Sequence, residues 1–189
     1  MNRVERLLQD NTSGVQTRCI IASHPLTPTQ VLEKLVNDDE VMVRVSVARN
    51  TELSKQIFEQ LARDSSSLVR EAIAQNINTP QEVLHKLAYD EFSEIREAVA
   101  KHPKVFVKTL DKLSKNKNVI VRRIVANHPK ASTKILSRLA KDDSKEVREA
   151  VAKHPNTPLK ILEHLLQDEF WKVSVNVMIS AEAKKLSNF

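Results

Sequence analysis

Six arginines recur at a constant spacing of 26 residues, and this period limits the possible folds more than any other feature of the chain. They are Arg18, Arg44, Arg70, Arg96, Arg122 and Arg148, and the next step reaches Ser174. A fixed period of this length is typical of a stacked array, in which each repeat buries its apolar side only against its neighbours. The sequence therefore predicts a solenoid rather than one globular core.

The residues around each arginine predict a short amphipathic helix, which we call helix A. The positions one residue before the arginine and three and four residues after it are apolar, as in Val43, Val47 and Ala48. This spacing places them on one face of an α-helix. A His-Pro pair follows in most repeats, as at His102 and Pro103. Because proline disfavours helix in the residue before it, helix A is expected to end there.

A second helix, helix B, is predicted after the Thr-Pro pairs, as at Thr79 and Pro80. Threonine is expected to be the N-cap, and proline the first helical residue. An apolar stripe then follows with helical spacing, as in Val31, Leu32 and Leu35. The single glycine and an aromatic content of 4% argue against a β-rich chain. The fold class is therefore predicted to be all-α.

The period also sets the expected boundaries. Residues 1–14 are predicted to form an N-terminal capping helix, and residues 15–170 to form six repeats. Residues 171–189 are predicted to form a partial seventh repeat and a polar C-terminal cap, since terminal repeats need a polar outer side. The whole is expected to be one structural domain.

The repeat consensus, V-R-E-A-V-A-K-H-P-x-T-P-x-x-V-L-x-x-L-A-x-D, resembles the leucine-rich repeat variant family, and residues 145–166 are its best copy. The resemblance implies a HEAT-like, right-handed superhelix in which α-helices alternate with short α or 3₁₀ helices. One founding member of that family carries an iron–sulfur cluster on several cysteines. This chain has one cysteine, Cys19, so no cofactor is predicted.

A row of helix-capping residues lies six positions before the arginines. Its members are Asp38, Asp64, Asp90, Asn116, Asp142 and Asp168, and Thr12 takes this position in the first repeat. Two roles are open: an ion pair with the arginine of the same repeat, or capping of helix A. Asn116 and Thr12 are uncharged but can still cap a helix, so capping is favoured as the shared role.

A second row follows helix A and contains His24, Asn50, Asn76, His102, His128 and His154. Three successive histidines in register suggest a metal site. However, helices in adjacent repeats lie ~8–10 Å apart, whereas zinc needs ligands within ~2.1 Å of one ion. Histidine and asparagine can both donate to carbonyls at helix ends. We therefore predict structural hydrogen bonds and no metal.

Charge is unevenly distributed and suggests where partners could bind. Residues 1–94 contain 10 Lys and Arg and 14 Asp and Glu, a net charge of −4, whereas residues 95–189 contain 20 and 10, a net charge of +10. Such asymmetry is compatible with acidic partners. The candidate partner- or polyanion-binding residues are Arg49, Lys101, Lys104, Lys108, Lys112, Arg123, Lys130, Lys134, Arg138 and Lys153.

The sequence favours a non-enzymatic scaffold for protein–protein interaction, because no phosphate-binding loop, nucleophile–base motif or metal-ligand spacing is present. The alternative is binding of nucleic acid or another polyanion through the basic C-terminal half, expected to be weak because acidic residues are interspersed and stacking aromatics are few. One cysteine, no apolar stretch long enough to span a membrane and a charged N-terminal segment predict a cytoplasmic protein without membrane contact.

Overall fold

The computed structural model describes residues 14–186 and, within that range, every side chain except those of residues 171 and 183–186. These residues form thirteen α-helices and no strand. The A helices are α1 (Val15–Ser23), α3 (Val41–Arg49), α5 (Ser67–Gln75), α7 (Ser93–Lys101), α9 (Val119–Asn127), α11 (Lys145–Lys153) and α13 (Trp171–Leu186). The B helices are α2 (Thr29–Leu35), α4 (Lys55–Leu61), α6 (Gln81–Leu87), α8 (Val107–Leu113), α10 (Thr133–Leu139) and α12 (Leu159–Leu165).

The predicted all-α architecture of stacked two-helix repeats is confirmed. By backbone contacts the chain divides into two compact units, unit 1 (residues 1–104) and unit 2 (residues 105–189). In unit 1, α1, α3, α5 and α7 pack side by side as one layer, and in unit 2 α9, α11 and α13 do the same. The B helices form the second layer, and each packs against the A helices that flank it within its own unit. Helix B is α-helical in all six repeats, whereas the resemblance also allowed a 3₁₀ form.

The core of each unit lies between these two layers and repeats with the period of the sequence. The alanine four residues after each arginine is fully buried, as in Ala48, Ala74 and Ala126. Its small side chain lets neighbouring A helices approach closely. The B helices contribute larger side chains, such as Leu84 and Leu136, which are also fully buried. The predicted N-terminal capping helix, residues 1–14, lies outside the described residues except for Gly14.

The predicted role of the Thr-Pro pairs is wrong by one position. Pro80 has a ψ of 146°, so it is the extended N-cap residue of α6 rather than its first helical residue. Thr79 is therefore too far upstream to cap α6. Its hydroxyl instead donates to the carbonyl of Ile73 in the preceding A helix, at 2.5 Å, and Thr157 donates to Val151 at 2.7 Å. The threonine thus closes the C-terminus of helix A.

Candidate interaction surfaces

Five of the six arginines form bidentate ion pairs with the aspartate in the loop before the next A helix. In each pair Nε and Nη2 of the arginine donate to the two carboxylate oxygens of an aspartate 20 residues later, with Nε–Oδ2 distances of 2.5–2.7 Å. The pairs are Arg18–Asp38, Arg44–Asp64, Arg70–Asp90, Arg122–Asp142 and Arg148–Asp168. Paired charges with two parallel hydrogen bonds are among the strongest polar contacts in proteins.

The contact at the start of helix A is shared by the whole described row, since each member, Asn116 included, accepts the backbone amide two residues later. The ion pair is an additional role of the five aspartates. Asp90 does accept the backbone amide of Phe92, the N-cap residue of α7, at 3.1 Å. The same carboxylate also pairs with Arg70, so one side chain does both. The alternative prediction, an ion pair with the arginine six residues later, named the wrong arginine, because Arg96 does not contact the carboxylate of Asp90. Arg96 Nη1 donates instead to the backbone carbonyl of Asp90, at 2.6 Å.

Four arginines, Arg44, Arg70, Arg122 and Arg148, are thus bound on two sides. Arg44 Nη1 donates to the carbonyl of Asp38, in the loop before its own helix, while the rest of its guanidinium binds Asp64, in the loop before the next A helix. Ser174 occupies the position of the arginine in the last repeat. Its hydroxyl donates to the carbonyl of Asp168, which corresponds to the contact of Arg44 Nη1 with the carbonyl of Asp38. The residue 26 positions after Asp90 is Asn116, which lacks a carboxylate. Among the described residues, Arg96 Nε has no hydrogen-bond partner.

The ion pairs predict that the fold loses stability in acid. Burial alone would raise the pKa of Asp64 and of Asp90, but hydrogen bonds from Arg44 and Arg70 and from backbone amides hold both below the ordinary value of 3.8. A carboxylate whose pKa is lower in the folded state stabilises the fold above its unfolded-state pKa. That contribution is lost as the pH falls through the folded-state pKa.

We therefore expect the melting temperature to fall steeply between about pH 5 and pH 2, since the carboxylates are protonated in this window. Thermal unfolding followed by circular dichroism at 0.5-unit pH steps measures this. An Asp90→Asn variant should start lower and lose less on acidification, because one titrating pair is already absent. A melting temperature that is flat with pH would contradict the role given to the pairs.

The histidine and asparagine row links consecutive repeats through helix-end carbonyls. Asn76 Nδ2 donates to the carbonyls of Ala48 and Asn50, at 2.7 and 2.8 Å, and its Oδ1 accepts the amide of Asn78. His102 uses its two ring nitrogens in the same way: Nε2 lies 3.0 Å from the carbonyl of Asn76, and Nδ1 accepts the amide of Lys104. Because Nδ1 accepts, Nε2 must carry the proton, so the ring is held as a neutral donor.

The remaining members of the row follow the same pattern. His154 Nε2 lies 3.2 Å from the carbonyl of His128. The Nδ1 atoms of His24, His128 and His154 each accept the backbone amide two residues later. In the part of the chain that the structure describes, no three His, Cys, Asp or Glu side chains are grouped so as to hold a metal ion. These side chains therefore belong to the repeat framework.

The ten basic candidates do not lie on one surface. Arg49, Lys101, Arg123 and Lys153 are exposed on A helices, whereas Lys104 and Lys130 lie in the turns that follow. Lys108, Lys112, Lys134 and Arg138 lie on B helices. Sequence analysis missed three exposed lysines near this last group, Lys115, Lys141 and Lys160. The period could have revealed them, since Lys160 continues the spacing of Lys108 and Lys134, and Lys141 that of Lys115.

Two adjoining grooves lie on the A layer of unit 1. The first, of about 340 Å³, lies between α5 and α7 and includes Glu71, Gln75, Ile77, Glu94, Glu97 and Lys101. The second, of about 310 Å³, is lined by Arg49, Thr51, Ala72, Gln75, Asn76 and Ile77. The two grooves share Gln75 and Ile77, so they form one continuous depression. Ile77 is 50% exposed there, which offers apolar surface beside three glutamates.

Comparison with known proteins identifies the type of repeat. A family model described as leucine rich repeat variant matches residues 146–170. Among solved structures, the chain is similar to one described as a leucine-rich repeat variant with a novel repetitive protein structural motif. The TM-score is 0.76 and the sequence identity 28%, over 95% of this chain and 72% of that chain. These findings confirm the resemblance to the leucine-rich repeat variant family.

A second solved structure shares the fold alone. It is the Escherichia coli protein YibA, with a TM-score of 0.56 and 18% identity over 90% of this chain and 74% of that chain. A search of curated proteins gave no significant match. Within the described residues, every helix is too short or too polar to cross a membrane.

Proposed function

We propose that this protein is a non-enzymatic scaffold that binds a segment of a partner protein in the two grooves on the A layer of unit 1. One observation carries the proposal: the repeated polar residues are occupied by contacts between repeats, while part of the groove lining lies at positions that vary from repeat to repeat. Glu94, for example, lies two residues before the arginine, a position that holds Met42, Leu68 and Ile120 in other repeats. The variable positions are therefore available for recognition.

The groove chemistry indicates what the partner segment contains. In the groove between α5 and α7, Glu71, Glu94 and Glu97 outnumber the single cation Lys101. Ile77 provides an apolar contact beside them. Charge complementarity favours a segment with Lys or Arg next to an apolar residue, since opposite charges steer encounter and suppress wrong partners. An apolar anchor supplies most of the affinity at such interfaces.

The proposal extends to activity and location. We propose that the protein catalyses no reaction, since the sequence has no motif that pairs a nucleophile with a base. The single cysteine fits a reducing compartment, which favours the cytoplasm.

Selection of a random peptide phage library on the purified protein tests the groove. We expect the enriched peptides to combine Lys or Arg with an apolar residue. A synthetic copy should bind a Glu94→Lys, Glu97→Lys variant at least tenfold more weakly, about 1.4 kcal/mol. Isothermal titration calorimetry measures the affinities.

The matched control is a Glu33→Lys, Glu82→Lys variant, which makes the same charge change at exposed sites on the B helices of the same unit. It should bind the peptide like the unmodified protein. The scaffold proposal fails if no peptide family is enriched, or if both variants weaken binding equally.

A further inference from the structure

The B helices of unit 2 carry a dense set of basic side chains. Their outward positions and the turns after them hold Lys108, Lys112, Lys115, Lys134, Arg138, Lys141 and Lys160, which we call the B-layer cation surface. All are exposed except Arg138, which is partly buried. Lys108, Lys134 and Lys160 recur at the repeat period and so form a row across α8, α10 and α12. Lys112 and Arg138, and Lys115 and Lys141, form two parallel rows.

Side-chain contacts show that α8 and α10 are adjacent in space. Arg138 Nη1 on α10 donates to Asp111 Oδ1 on α8, at 2.9 Å, and to Ser114 Oγ, at 2.7 Å. The hydrogen bond from Arg138 lowers the pKa of Asp111, which therefore stays ionised and paired. Glu163 is the other acidic residue at the outward positions of these three helices. The surface is consequently basic over α8 and α10, whereas on α12 Glu163 offsets the charge of Lys160.

The fold does not require these charges. The positions of unit 1 that correspond to Lys108, Lys134 and Lys160 hold Gln30, Gln56 and Glu82. Those that correspond to Lys115 and Lys141 hold Asn37, Arg63 and Tyr89. Helix B has the same length in both units. The position of Lys112 and Arg138 is already basic in unit 1, where it holds Lys34, Gln60 and Lys86. The change between the units is therefore confined to the other two rows, and it is these rows that point to a binding role in unit 2.

We propose that the B-layer cation surface binds the phosphate backbone of double-helical nucleic acid without sequence preference. Protein partners bind chiefly through buried aromatic and apolar anchors, and the exposed large apolar side chains within α8, α10 and α12 are limited to Val107 on α8 and Leu159 on α12. Single strands need aromatic platforms for their bases, and the ring of Phe106, just before α8, already has Lys108 Nζ 4.7 Å from its centroid. Rows of lysine suit phosphate contacts, which fix position but read no sequence.

This inference goes beyond the proposed scaffold and does not rest on it, because it uses the other helix layer and the other unit. Phosphate contacts release condensed counterions, so affinity falls with salt by a slope of about −0.9 for each phosphate contacted. If about five of the cations make contacts, the logarithmic slope is roughly −4.5. At physiological salt the dissociation constant should be in the range of roughly 10⁻⁴ to 10⁻⁶ M, which is typical of non-specific binding.

Fluorescence anisotropy with a labelled 20-base-pair duplex tests the inference over a series of salt concentrations. A Lys108→Glu, Lys134→Glu, Lys160→Glu variant should bind at least about tenfold more weakly at low salt, with a slope shallower by about 3. The control is Lys34→Glu, Lys55→Glu, Lys86→Glu, which makes the same charge change at exposed sites on the B helices of unit 1. It should reduce binding much less, and circular dichroism should show both variants folded.

Several results would overturn the inference. They are no duplex binding by the unmodified protein at low salt, equal weakening by both variants, or strong discrimination between duplex sequences. Binding of polyglutamate or of phosphatidylserine vesicles in place of the duplex would assign the surface to an acidic protein or a membrane instead. None of these results bears on the groove of unit 1, whose peptide test is separate.

Discussion

Replacing Asp90 by alanine should lower the free energy of unfolding by about 2–3 kcal/mol, because it leaves an arginine guanidinium without its carboxylate in a mostly buried site. The side chains of Arg70 and Asp90 are 11% and 7% exposed, so water can replace the lost carboxylate only in part. The variant also loses the acceptor for the amide of Phe92 at the start of α7. Capping alone would cost only about 1 kcal/mol.

An Asp90→Asn variant separates the two roles of this side chain. Asparagine keeps the oxygen that accepts the amide of Phe92 but provides no charge and no second acceptor for Arg70. We expect a loss between that of alanine and zero, about 1–2 kcal/mol. Urea unfolding followed by circular dichroism measures both variants. If the Asp90→Asn variant were as stable as the unmodified protein, the side chain at this position would act through capping alone.

Replacing Asn76 by alanine should have a comparable effect, a loss of about 2–3 kcal/mol. Asn76 is 7% exposed, and its amide group makes three hydrogen bonds that join α3, the turn after it and its own turn. Alanine would leave the carbonyls of Ala48 and Asn50 without this donor. A buried polar group that has no hydrogen-bond partner destabilises the fold, because the free energy lost on its removal from water is not recovered.

The chain itself provides the matched control for this position. An Asn76→His variant should lose less than about 1 kcal/mol, because histidine at 102 makes the same kinds of contact with one donor and one acceptor. Chemical unfolding of both variants gives the comparison. Equal losses for alanine and histidine would show that the row is not defined by hydrogen bonding between repeats.

Sequence periodicity was sufficient to predict the repeat, the two helices in it and the end of helix A. Helix boundaries followed from local rules, such as the exclusion of helix before Pro103. The donor role of the histidine and asparagine row could also be predicted from the sequence, because both residue types can donate a hydrogen bond to a carbonyl. Such features depend on the chemistry of one position and not on which repeat lies beside it.

The partners of the arginines could not be read from the period. In a perfect repeat, an aspartate lies both six residues before one arginine and 20 residues after another, so spacing alone does not choose between them. The choice depends on how closely α3 approaches α5, which is set by side chains such as Ala48 and Ala74 in the core. Sequence analysis considered the arginine six residues after each aspartate, and the structure shows pairing with the arginine 20 residues before it.

The candidate surfaces could be predicted only in part from the sequence, for a similar reason. Total charge identified the basic half of the chain, but it could not separate Lys153 on an A helix from Lys134 on a B helix. The acidic groove of unit 1 escaped notice because Glu71 and Glu94 lie far apart in sequence and line one depression only after α5 and α7 pack together.

A double-mutant cycle between Arg70 and Asp90 tests most directly the central claim that the repeated polar residues link each A helix to the loop before the next A helix. Alanine is placed at each position and at both, and urea unfolding gives the four stabilities. We predict a coupling energy of about 1–3 kcal/mol for this pair, and a coupling within about 0.5 kcal/mol of zero for Arg96 with Asp90. A negligible coupling for Arg70 with Asp90, or a larger one for Arg96 with Asp90, would contradict the account.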